Sequence, residues 1–76
     1  MDNTYTTKDF YVASYLKAKG FKMSGAERKE KIVYFSFENG QEAEQAVGRL
    51  FKANEEVNAL AFITAFKAIK SVLFNV

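Results

Sequence analysis

The chain has no cysteine, no histidine, no proline and no tryptophan. Without cysteine there is no disulfide and no thiolate metal site, and small secreted domains commonly depend on such staples, so the expected setting is cytoplasmic. Without histidine the usual general base and the commonest nitrogen metal ligand are both missing, and no nucleophile–histidine dyad or triad can be built. The four glycines, Gly20, Gly25, Gly40 and Gly48, are scattered, so no phosphate-cradling loop exists. Long apolar runs are also wanting. The longest, Leu60 to Phe66, is broken by Thr64, followed by Lys67 and Lys70, and falls well short of the ~20 residues of a membrane span. Met1-Asp2-Asn3 has neither the basic nor the apolar region of a signal peptide. The expectation is a protein without membrane, metal or cofactor, and not an enzyme.

Carboxylates are present but have plain readings. Glu42 and Glu44 fall in the first turn of one expected helix, and Glu55 and Glu56 just precede another, where negative charge suits the helix dipole. The formal net charge of +2 is too small to announce a nucleic-acid binder, yet it is unevenly spread. Residues 1–37 carry seven basic against four acidic side chains, residues 38–58 two against five, and residues 59–76 two against none.

Apolar and aromatic residues are what the chain does have. Seventy-six residues make one domain, and one this small buries only ~60% of the surface its unfolded form exposes, so its core must be rich. Eight Phe and four Tyr supply it, within a hydrophobic share of 49% that excludes a disordered chain.

The spacing predicts an α+β domain in the order helix, two-stranded antiparallel hairpin, helix, helix (α-β-β-α-α), with the helices packed on the hairpin and residues 1–4 loose. The first helix runs from about Thr7 to Lys19. Thr6 is its cap, Asp9 answers three residues later, Tyr5 staples against Phe10, and Gly20 stops it. Val12, Leu16, Ala13 and Phe10 form its broader arc and should be core. Phe21 to Glu27 and Lys31 to Glu38 read as strands joined by a turn at Arg28 to Glu30. In the second strand Val33, Phe35 and Phe37 share the face expected to meet the helices. A second helix over Gln41 to Ala53 follows an Asn39 cap, with Glu42 three residues on and Gly48 weakening its interior. A third over Ala59 to Leu73 follows Asn58, with Val57 as staple and Phe62, Phe66, Ile69 and Leu73 as its buried stripe.

Three surfaces are left over. Tyr11 and Tyr15 lie one turn apart with Lys8 and Lys19 nearby. They admit three readings: rings buried under a later helix, a base-stacking surface beside phosphate-binding charge, or a homodimer contact. The basic turn Arg28, Lys29 and Lys31 reads as a solvated hairpin tip or as a set of phosphate contacts. On the second strand the face with Ile32 and Tyr34 is more apolar than a solvated face requires. It points to a dimer contact, or to helices on both sides.

Three stretches, Tyr5 to Phe21, Glu27-Arg28-Lys29 with the aromatic strand Val33 to Phe37, and Val57 to Phe62, resemble a family of small uncharacterised domains of phages and of bacterial, largely Gram-positive, genomes. The resemblance spans nearly the whole chain. It implies a phage or prophage context and hence a host cytoplasm, and it carries no functional residues with it.

The expected function is binding rather than catalysis. Nucleic acid is the first partner class, through Lys8, Tyr11, Tyr15, Lys19, Arg28, Lys29 and Lys31. The alternative is a self-associating module that binds a host or phage protein, with Ile32 and Tyr34 as dimer contacts. A continuous basic face would favour the first and an exposed apolar face the second.

Overall fold

The computed structural model describes residues 3–53 and 56–76, and Glu55 lies outside them. The chain runs β1 (Thr4–Thr7), α1 (Phe10–Ala18), β2 (Met23–Lys29), β3 (Ile32–Glu38), α2 (Gly40–Ala53) and α3 (Ala59–Asn75). It is an α+β fold whose sheet has three strands rather than the expected two, all antiparallel neighbours in the order β1-β3-β2.

The added strand comes from the residues expected to cap the first helix. Tyr5-Thr6-Thr7 is a β-branched and aromatic run that suits a pleated surface, and β3 offers it a free edge. Tyr5 pairs with Phe37 and Thr7 with Phe35, and the Thr6 hydroxyl lies 3.0 Å from that of Ser36 on the outward side. Thr6 is therefore no cap, and Tyr5 is a strand residue rather than a staple. The helix starts later, at Asp9, whose Oδ1 accepts from the Tyr11 and Val12 backbone N–H groups at 2.8 and 3.1 Å. Its end falls where expected. Gly20 takes φ +97°, its N–H donates to the Lys17 carbonyl and that of Phe21 to Leu16, a Schellman pair that satisfies two end carbonyls.

Asn3 and Thr4 are ordered by the start of α2, while residues 1 and 2 lie outside the described residues. The Asn3 carbonyl accepts from Gly40 N–H and its Oδ1 from Gln41 N–H, so two free donors of α2 are taken by a residue distant in sequence. β1 crosses so close that a Cβ on Gly40 would sit 2.5 Å from the Thr4 carbonyl carbon. Only glycine fits there.

β2 and β3 meet in a tight hairpin. Lys29 pairs with Ile32, leaving Glu30 and Lys31 as the turn, with Glu30 at φ 59°. Arg28 and Lys29 are thus strand residues, because the hairpin closes with a two-residue turn later than the expected one, and a bulge between Met23 and Gly25 shifts the register only at the far end of the pair.

All three helices pack on the face bearing Val33, Phe35 and Phe37, each at most 5% exposed, and the opposite face stays open to solvent. The chain's own β1 makes β3 central, and the helices cover one face of the sheet rather than both. Within the helical layer α1 is central, with Val12 through Leu16 buried without interruption. The Ser14 hydroxyl is satisfied by the Phe10 carbonyl at 2.9 Å. α3 starts as expected, with Asn58 Oδ1 accepting from Ala61 N–H at 2.9 Å, but its buried residues are Ala65 and Ile69. Phe62, Phe66 and Leu73 sit only half-buried at the margin. The small Ala65 takes the buried position, and the rings are left at the rim.

Candidate functional site

α3 is apolar on nearly every side. In Ala59–Asn75 the only charged residues are Lys67 and Lys70, so burying one stripe leaves apolar side chains on the others. Ile63 is half exposed and Phe74 75% exposed.

The surplus gathers where α3 passes the first turn of α1. Phe10 meets Phe66 edge-on, ring centroids 4.7 Å apart at 64°, and Tyr11 lies nearly parallel to the same ring at 5.9 Å and 28°. Phe62 continues the row at 6.2 Å from Phe66. Two shallow grooves share Phe66 and Lys70. One, of about 370 Å³, is lined by Phe62, Ile63 and Lys67 as well; the other, of about 270 Å³, by Phe10, Tyr11, Leu73 and Phe74. From Phe10 and Leu73 a third, of about 440 Å³, continues to Lys8, Lys31 and Ile32. Together they form one strip. Its cations are Lys8, Lys31, Lys67 and Lys70, and none of its lining residues is acidic. None of the four lysines has an ion-pair partner among the described residues.

Of the sequence-predicted contacts, the strip brings together Lys8, Tyr11, Lys31 and Ile32. It does not include Tyr15. That ring is 1% exposed and its hydroxyl donates to the Ala46 carbonyl of α2 at 3.2 Å, so Tyr15 is a core residue rather than a surface contact. Lys19 lies beyond the opposite end of α1 from Lys8, beside Phe21, Asn39 and Glu42. Arg28 reaches across to α3, donating from Nε to the Val76 carbonyl at 3.0 Å and from Nη2 to Leu73 at 3.3 Å, which satisfies end carbonyls of that helix.

The open sheet face is a separate surface. Lys29 Nζ sits 5.9 Å from the Tyr34 ring centroid and 3.8 Å from Glu27 Oε1. Tyr34 pairs with Glu27, Ile32 with Lys29, and Ser36 with Thr6 and Gly25, so this face is mixed rather than apolar. Charged Glu27, Arg28 and Lys29 and the bulge lie on the outer strand β2, features that discourage edge pairing.

Sequence reasoning missed Ile63, Phe66 and Phe74 as surface residues. The signal was there: from Ala59 to Phe66 the chain has no charge to define a solvated face. Among the described residues no group of His, Cys, Asp or Glu converges as a metal site, and no buried side-chain nitrogen or oxygen lacks a partner. No helix among them is long and apolar enough to cross a membrane.

Fold and surface define a small two-layer α+β domain that displays an aromatic strip edged by lysine. The chain belongs to the family described as Domain of unknown function (DUF5659), whose model matches residues 2–75. No curated protein and no solved structure matches it.

Proposed function

We propose that this protein is a non-enzymatic binding module whose partner is another protein, held on the strip between α1 and α3. The observation that carries the reading is the exposure of Tyr11, Ile63 and Phe74 around a ring cluster that none of the other described residues covers. Contiguous apolar surface of this kind marks interaction sites on soluble domains, and aromatic side chains are favoured there. A phage or prophage origin, with action in the host cytoplasm, fits the resemblance noted above and belongs to the same proposal.

Nucleic acid is the second reading. It is favoured by the four lysines and by Tyr11, whose ring is 66% exposed. Against it, Ile63 and Leu73 offer no donor or acceptor to a base edge, and the Phe10 and Phe66 rings are packed on one another. Self-association through Ile32 and Tyr34 is weaker still, because that face is interrupted by Glu27 and Lys29.

Capture from host lysate with and without nuclease separates the first two. The protein-binding reading expects a bound protein that survives nuclease and is lost with the Tyr11→Ser/Phe74→Ser variant. Capture abolished by nuclease, together with steeply salt-dependent binding to an oligonucleotide, would instead establish the nucleic-acid reading.

A further inference from the structure

We infer that the strip accepts an acidic amphipathic helix of the partner, its apolar stripe over Phe66 and its carboxylates against Lys8, Lys31, Lys67 and Lys70. This deepens the protein-binding reading and rests on it.

The shape argues for a helix. Phe62, Phe66, Lys70 and Phe74 follow one another at intervals of four along α3, and such i±4 rows are the ridges between which a second helix packs. At ~1.5 Å per residue the row extends about 18 Å, roughly three turns of a docked helix with anchors at i, i+3 or i+4, and i+7.

The charge decides the partner's composition. Among the described residues four lysines line the strip, no carboxylate does, and none of the four lysines is ion-paired. A partner helix with flanking Glu or Asp meets each lysine with an opposite charge, which gives orientation and selectivity more than raw affinity. A second copy of this chain does the opposite. In a two-fold contact the same patch faces itself, so Lys67 and Lys70 of one protomer would approach those of the other.

Two synthetic helices of about 16 residues test the inference, with identical leucine stripes and flanking glutamates in one, lysines in the other. Each is titrated by calorimetry into the wild-type chain and into Lys67→Glu/Lys70→Glu. Both positions are exposed, and circular dichroism checks that the variant folds. The expected result is that the glutamate peptide binds wild type at least about tenfold more tightly than the lysine peptide, and that this preference is lost in the variant, where two glutamates offset the remaining Lys8 and Lys31. Amide shifts should fall on residues 62–74 and the N-terminal turn of α1.

Equal binding of the two peptides to wild type, an undiminished preference in the variant, or shifts confined to other residues would overturn the inference. If both peptides bind equally and Tyr11→Ser/Phe74→Ser binds neither, the module reading stands while the acidic helix fails. If neither peptide binds and sedimentation shows a dimer that Phe74→Ser dissociates, the strip is a self-contact and the acidic helix is excluded. Saturable binding of a thymidine oligonucleotide to the same residues, with neither peptide bound, would overturn both readings.

Discussion

Tyr11 and Tyr15 stand one turn apart on the same helix and have opposite fates. The ring of Tyr15 is closed in the core with its hydroxyl on the Ala46 carbonyl, while Tyr11 lies in the open against Phe66. Truncating them should separate stability from binding. Tyr15→Phe removes a buried hydrogen bond and is expected to cost about 1 kcal/mol in chemical denaturation. Tyr15→Ala should cost about 3–5 kcal/mol, by analogy with other large aromatic truncations. Tyr11→Ala should stay within about 1 kcal/mol of wild type, because little but the ring contact is lost.

The start of α1 can be assigned by a pair of substitutions. Asp9→Ala is expected to destabilise the fold by about 1 kcal/mol, since its carboxylate serves two backbone donors. Thr6→Ala should cost less, because its hydroxyl makes only an exposed hydrogen bond with that of Ser36. A denaturant midpoint more sensitive to Thr6 than to Asp9 would place the cap back at Thr6.

Two glycines of α2 should respond with opposite signs. Gly40→Ala drives a methyl into the Thr4 backbone and is expected to cost about 1–3 kcal/mol, with β1 displaced. At Gly48 a Cβ meets nothing within 4 Å, so Gly48→Ala should raise stability by about 0.5–1 kcal/mol. Thermal denaturation of the two variants against wild type reads both signs.

Alkaline pH provides a probe of β1. The Tyr5 phenol is raised above its ordinary value, first by burial and then by the carboxylates of Glu44 and Asp9. The folded chain therefore holds this proton after the unfolded chain has released it. Its contribution to stability is whole below the unfolded value of 10.0 and declines as pH climbs through the folded one. Tyr5→Phe should show a shallower loss of stability above that point. An unchanged slope would mean that Tyr5 does not sense the fold.

Much of this architecture was legible because local chemistry and tertiary packing agree. The Gly20 stop, the Asn58 cap and the Val33, Phe35, Phe37 face follow from single residues or from a period of two. Where they parted, a competing arrangement was available. Tyr5-Thr6-Thr7 has helix-cap chemistry and strand propensity at once, and only the free edge of β3 decides between them. The strip was less legible. A stripe of Phe62, Phe66, Ile69 and Leu73 has the right period for a core, and Ile69 is buried as expected, but burial of the rest depends on where α1 lies, and the small Ala65 beside Lys17 and Ala18 of α1 takes the other buried position. Tyr15 could not be told from Tyr11 by periodicity, since the difference is the position of α2.

The pairing of β1 with β3 also gives the fold a seam. β2 and β3 are joined by two residues and close early, whereas β1 must find its partner across about thirty intervening residues, a slow kind of contact to form. Until it does, the Phe35–Glu38 half of the central strand has an unsatisfied backbone edge beside two core phenylalanines. During synthesis, or where a side chain at Gly40 displaces β1, that edge is open to a neighbouring chain's Thr4–Thr7 in place of its own, so exchange of this short arm is a misassembly that the pairing invites.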